Sequence, residues 1–162
     1  MKHLSVCLIQ GATRWHDAAA NRAYYGELVR THAAGADLCV LPETFLSGFT
    51  NDTLHQAETM DGESMAWLRA LAMESGVTLT GSLVIAENGR HLNRLLWMRP
   101  DGSCEHYDKR HLFRMADEHT RYAGGEQRLI VELNGWRLCP LVCYDLRFPV
   151  WSRNRRNAEA SG

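Results

Sequence analysis

Three residues in this chain have the types and settings that covalent chemistry on an amide requires. Glu43 follows an apolar run and a proline in "LPETFLSGF" (41–49), Lys109 lies in "YDKRHLF" (107–113), and Cys143 ends an apolar run in "LVCYDLRFP" (141–149). A thiolate attacks a carbonyl, and an unperturbed cysteine is mostly protonated at neutral pH, so another group must take its proton. A desolvated glutamate, whose proton affinity burial raises, can take it and later hand it to departing ammonia. The attacked oxygen becomes an oxyanion. An ammonium and the backbone N–H after the nucleophile, here that of Tyr144, stabilise it by ~3–4 kcal/mol per well-placed donor. A sharp turn after Cys143 would aim that N–H, as in nucleophile elbows. No histidine is needed, and none of the eight lies in an obvious partner motif. Taken singly, each residue also fits a plainer role: Glu43 as a cap or surface carboxylate, Lys109 as a solvated lysine, Cys143 as a packed thiol. Together they supply the set a cysteine amidase needs.

These residues must be carried to one place, and the chain has elements that can do so. "LSVCLIQ" (4–10) reads as a strand, and "DAAANRAYYGELVRTHAAG" (17–35) as a helix with Asp17 capping its start and Gly35 ending it. "ADLCVLPE" (36–43) is a buried strand closed by Pro42. "ESMAWLRALAMESG" (63–76) is an amphipathic helix with Met65, Leu68, Leu71 and Ala72 on one face. Strands over 77–87, 91–100 and 104–109 follow, joined by Asn88-Gly89 and Asp101-Gly102 turns. Residues 127–133 and 136–143 form a hairpin around Asn134-Gly135. Strand–helix–strand followed by hairpins predicts an α/β layered sheet, parallel at first and then mixed, in one domain without a linker. Glu43, Lys109 and Cys143 each fall at the end of a predicted strand, the edge where α/β proteins place ligands.

Composition removes other classes. The net charge of −1, with both signs interleaved, offers no footprint for nucleic acid or an anionic membrane. The one basic cluster, Arg153 to Arg156, reads as a solvated terminus. No apolar stretch approaches the ~18 residues of a membrane span, and "MKHLSVCLIQ" reads as a first strand and not a signal peptide. The five cysteines are odd in number and form no C-x-x-C pair. That predicts neither a disulfide framework nor a zinc site, and a reducing cytoplasm as the location. Cys7 and Cys39, inside apolar runs, are expected in the core, and Cys139 is expected to face into its strand. The acceptor pattern Asn51-Asp52-Thr53 is read as chance in the absence of a secretory signal.

The three quoted segments, in this order and spread over most of the chain, resemble the signature segments of the nitrilase (carbon–nitrogen hydrolase) superfamily. The Tyr-Asp-Leu-Arg-Phe-Pro continuation and "HLFRMADEH" (111–119) most resemble its omega-amidases. The resemblance implies a Glu43–Lys109–Cys143 triad, with Glu118 as a second glutamate that holds Lys109 charged and helps place the substrate amide or water. It implies a four-layer α-β-β-α sandwich, a homodimer, and no metal or organic cofactor. The implied substrate is the omega-amide of a short dicarboxylate, of the 2-oxoglutaramate or 2-oxosuccinamate type, cleaved through a thioester with release of ammonia. Arg147 is the expected contact for an anionic substrate, although Asp145 and Arg147 could equally pair with each other to fix the turn. An N-carbamoyl or aliphatic amide is the alternative substrate.

Members of the superfamily continue well past the nucleophile segment. The chain is therefore expected to be the N-terminal portion of the domain, truncated at its C-terminus and ending in a polar tail from about 152. Strands 77–87 and 91–100 would then lack cover on one face, and an inactive, self-associating product is the expectation for residues 1–162 alone.

Overall fold

The computed structural model describes residues 3–153. Helix α1 (Ala18–His32) starts where the Asp17 carboxylate accepts the Ala20 N–H at 3.0 Å. Helix α3 (Glu63–Ser75) follows the short α2 (Thr53–Gln56), which the sequence did not announce, and stops at Gly76, in the left-handed region with φ 67°. Strands β1 (Val6–Leu8), β2 (Leu38–Val40), β3 (Thr78–Glu87), β4 (Arg90–Met98) and β5 (Cys104–Asp108) form one sheet in chain order. The first three run parallel, with Val6 opposite Leu38 and Leu38 opposite Thr78, and β4 and β5 add antiparallel. The sheet is thus parallel and then mixed, as its order of strands, helices and turns predicted. Asn88-Gly89 and Asn134-Gly135 have positive φ at both positions, the conformation a tight two-residue hairpin turn requires.

Alternation along β3 and β4 divides the core. Leu79, Leu83 and Ile85 of β3, with Leu96 and Met98 of β4, pack against Tyr25 and Val29 of α1 and Met65, Leu68 and Leu71 of α3. On the other face Trp97 packs with Leu38 and with Val131 of β6 (Val131–Leu133), flanked by Leu138 of β7 (Trp136–Leu138). Leu95 and Tyr107 meet Val142, Leu141 and Trp151. The layers are therefore helices, the five-stranded sheet, and the two-stranded β6–β7 sheet with its following segment. This corrects the expectation of an uncovered face, because residues 78–85 and 92–98 are all buried.

The predicted strands are shortened in several places. Residues 4–10 pair only over Val6–Leu8, and 36–43 only over Leu38–Val40. The run 136–143 leaves the hairpin at Leu138, before Pro140, which has no N–H for a ladder. Cys143 thus ends no strand and instead opens a 3-10 helix, Cys143–Arg147, followed by α4 (Pro149–Ser152) with proline in its first turn. Cys39 is fully buried, and burial together with the neighbouring Cys7 pushes its thiol up to about 12. Cys139 is exposed, against the expectation that it faces inward, because its segment has already left the sheet. The basic cluster beyond Arg153 lies outside the described residues.

Candidate active site

Glu43 and Lys109 are set by backbone pairing that continues past a strand, Glu118 and Cys143 by 3-10 turns. After β2, Leu41 N–H donates to Thr80 O at 2.7 Å and Ser82 N–H to Pro42 O at 3.4 Å, so Glu43 leaves the sheet in register with β3. The chain then turns at Thr44, with φ 43°, its N–H held by Ser82 Oγ at 2.8 Å. After β5, Lys109 N–H donates to Asn93 O at 2.9 Å, which sets its side chain on the same face as Asn93. Glu118 opens a 3-10 turn behind Asp117, with φ 55°. Cys143 has φ 44°. Left-handed backbone at a residue other than glycine is uncommon and costs about 1–3 kcal/mol. Here it occurs at Cys143 itself and next to both glutamates, in turns that aim a side chain across the strand direction.

The side chains converge. The buried Lys109 ammonium donates to Glu43 Oε1 at 2.7 Å and to Glu118 Oε1 and Oε2 at 3.0 and 2.9 Å. Burial opposes its charge, but the two carboxylates outweigh burial and raise its pKa, so it stays an ammonium. Glu118 is wholly buried and also accepts the Phe113 N–H at 2.5 Å. The Cys143 side chain faces Glu43 across a shared cavity. Burial first, and then the charge of Glu43, push the thiol pKa up, while the Lys109 charge pulls it down. The resting thiol therefore keeps its proton, in the same cavity as a carboxylate that can receive it. Glu43 and Cys143 line a cavity of about 100 Å³ with Thr80, Ser82, Leu95 and Leu141. A larger cleft of about 590 Å³, along the β5 edge, contains none of the four clustered residues.

The nucleophile turn is fastened from below. Asp145 is fully buried and accepts from Tyr107 Oη at 2.7 Å, His111 N at 2.9 Å and Val142 N at 3.2 Å, with His111 Nδ1 at 2.8 Å. It is therefore tied to the Lys109 segment and not to Arg147, whose side chain is exposed. Of the two open readings of Asp145 and Arg147, mutual pairing is excluded. The His111 ring stacks on Phe148 at 3.7 Å, and Tyr144 meets Phe113 edge-on at 5.0 Å. Tyr144 is the second residue of its 3-10 helix, where a leading N–H has no intrahelical acceptor.

The structure thus brings Glu43, Lys109, Glu118 and Cys143 together and leaves Arg147 exposed at the end of the 3-10 helix that Cys143 opens. Sequence reasoning missed Asn93, whose Nδ2 lies 2.8 Å from Glu43 Oε1 and 3.2 Å from Glu118 Oε1, and it gave His111 no role. A signal for Asn93 existed: an amide between Leu92 and the run Leu95–Met98, in a strand this apolar, has to be satisfied by something if it is buried. Among the described residues no cluster of His, Cys, Asp or Glu side chains is arranged to hold a metal, and no helix is long and apolar enough to cross a membrane.

Known proteins resemble this chain in both sequence and structure. Omega-amidase YafV of Escherichia coli (strain K12) is 43% identical over 154 residues, which cover 95% of this chain and 59% of that protein. The 2-oxoglutaramate amidase of Bacillus subtilis (strain 168) is 33% identical over 129 residues, 78% of this chain and 50% of that one. The crystal structure of XC1258 from Xanthomonas campestris, a CN-hydrolase superfamily protein with an arsenic adduct in the active site, superposes with a TM-score of 0.94 at 54% identity. It is covered over 98% of this chain and 60% of its own. The chain spans about 50–60% of the length of these relatives. The carbon-nitrogen hydrolase family model matches residues 5–160, and the chain belongs to that family.

Proposed function

We propose that this protein is a cysteine-dependent amidase that hydrolyses the omega-amide of short dicarboxylate monoamides, of the 2-oxoglutaramate or 2-oxosuccinamate type. The observation that carries the reading is the contact set in which one ammonium is held by two carboxylates, one of which lines a cavity together with the Cys143 thiol. The similarity to proteins named omega-amidase and 2-oxoglutaramate amidase supports the choice of substrate.

In the proposed reaction Glu43 takes the Cys143 proton as Sγ attacks the amide carbon. The carbonyl π electrons move to oxygen, and the oxyanion is met by the Tyr144 N–H and by Lys109. All three ammonium hydrogens are engaged at rest. Protonation of Glu43 removes the charge that held one of them and turns Lys109 toward the oxyanion, so proton transfer and oxyanion stabilisation are coupled. Collapse breaks the C–N bond, and Glu43 returns its proton to the leaving nitrogen, releasing ammonia. Water then gives a proton to Glu43 and attacks the thioester, and collapse expels the Cys143 thiolate, which is reprotonated. Glu118, bonded only within the protein, keeps Lys109 charged and in place. Arg147, exposed beside the nucleophile turn, serves the distant carboxylate of the substrate. The scheme uses no metal or organic cofactor. A cytoplasmic homodimer is part of the same proposal, supported by the family resemblance and by five free cysteines. The test is ammonia release from 2-oxoglutaramate, expected from the wild type and absent in Cys143→Ala; no release by the folded wild type would overturn the substrate assignment.

A further inference from the structure

The proposed reaction leaves one member of the cluster without a task. Asn93 is 1% exposed, and both hydrogens of its amide are directed at anions, Glu43 Oε1 and Glu118 Oε1. That also settles which end of the amide is which, because an oxygen turned toward two carboxylates would be repelled. Its Oδ1 is buried with no partner among the described residues, whereas its backbone carbonyl accepts the Lys109 N–H. A single residue therefore holds the main chain of the lysine and both of its carboxylates. An apolar side chain would fill this strand position without an orphaned oxygen, so the amide is explained by what its nitrogen does.

Two carboxylates face one ammonium, which leaves a net negative charge in a buried site. The nearby Tyr122 hydroxyl, which donates to Thr50 O at 2.5 Å, is held protonated by burial and by both glutamates. Neutral donors are the means of offsetting that charge without adding another. We infer that Asn93 is a positioning residue: by donating to Glu43 and Glu118 at once, it keeps both carboxylates on Lys109 and fixes Glu43 in the cavity it shares with Cys143. The inference rests on the amidase reading for its meaning, but its test does not depend on the substrate.

Asn93→Asp is isosteric and turns the shared donor into a third carboxylate, while Asn93→Ser keeps a shorter donor. The rate at which iodoacetamide alkylates Cys143 at neutral pH is measured by peptide mass spectrometry, with exposed Cys139 as the internal reference. In Asn93→Asp the Cys143 to Cys139 ratio is expected to fall about tenfold or more, since added negative charge disfavours the thiolate, and in Asn93→Ser by less. Where the wild type releases ammonia from 2-oxoglutaramate, kcat falls with it and KM stays within about threefold. An unchanged ratio in folded Asn93→Asp overturns the inference. If thermal melting shows that variant unfolded, Asn93→Ser decides: a several-fold fall supports the role and an unchanged ratio overturns it. A wild type inactive on 2-oxoglutaramate but showing these alkylation ratios would remove the substrate assignment and leave Asn93 in its role.

Discussion

At the scale of single residues the site is a problem of charge. Lys109 is kept as an ammonium by two carboxylates although it is buried, and the thiol beside them is kept protonated. Alkylation of Cys143 should therefore have its pH midpoint above that of an ordinary thiol, ~8.5, and the midpoint should climb further in Lys109→Gln because the cation that favours the thiolate is gone. A stopped-time iodoacetamide series from pH 6 to 10 reads both. The same charges set the expected kinetics. Lys109→Gln should lower kcat by on the order of a hundredfold, the loss of a transition-state donor, and Glu43→Gln should be at least as damaging. Cys143→Ala should abolish turnover, while Cys139→Ala, outside the cluster, should keep at least about a tenth of it. Equal losses in two folded cysteine variants would reassign the nucleophile.

At the scale of elements the question is what keeps three turns in register. Asp145 ties the nucleophile turn to β5 through Tyr107 and to the Lys109 segment through His111, with every contact buried or partly buried. Asp145→Ala leaves several buried donors without an acceptor and should cost about 3 kcal/mol or more in a urea melt. The loop after Glu118 is fastened by a close approach. Gly125 N–H donates to Lys109 O at 3.0 Å, and a Cβ at Gly125 would lie 2.1 Å from Asp108 O. Gly125→Ala must therefore push the loop off the end of β5, the strand end that carries Lys109. It is expected to lower melting temperature and kcat together, whereas Gly89→Ala, with nothing near its Cβ, should affect stability alone through its φ of 72°.

At the scale of the whole molecule the sheet is covered on both faces at its centre and open at one side. Strand β1 exposes Val6 at 44% and Leu8 at 75%, on the face that holds Leu38 and Val40 in β2. Exposed apolar side chains on an edge strand favour pairing with another surface. The pair of changes Val6→Thr and Leu8→Thr should reduce self-association on a sizing column while moving the melting temperature by no more than about 3 °C, as expected for surface positions. Association unchanged by the double substitution would place the contact elsewhere, with exposed Leu146 and Val150 next in order.

The sequence alone determined the features that depend on neighbours in the chain. Asp17 caps α1, Gly76 ends α3, and the Asn-Gly pairs turn the hairpins, because capping and turn chemistry act over two to four residues. The end of β5 beside Lys109 was legible too, whereas β2 stops at Val40, short of Glu43, and Cys143 follows no strand but opens a 3-10 helix. What the tertiary structure decided lies in contacts between distant residues. Lys109 meets Glu43 across 66 positions, Asn93 meets Glu43 across 50, and His111 meets Asp145 across 34. No periodicity encodes these pairings; they follow from the register in which β3, β4 and β5 align. For the same reason the sequence offered Asp145 only the adjacent Arg147 as a partner, and the half-buried His111, 34 positions away, took that place. The cover of β3 and β4 by residues 129–142 was likewise invisible locally, since an apolar strand face reads the same whichever segment buries it.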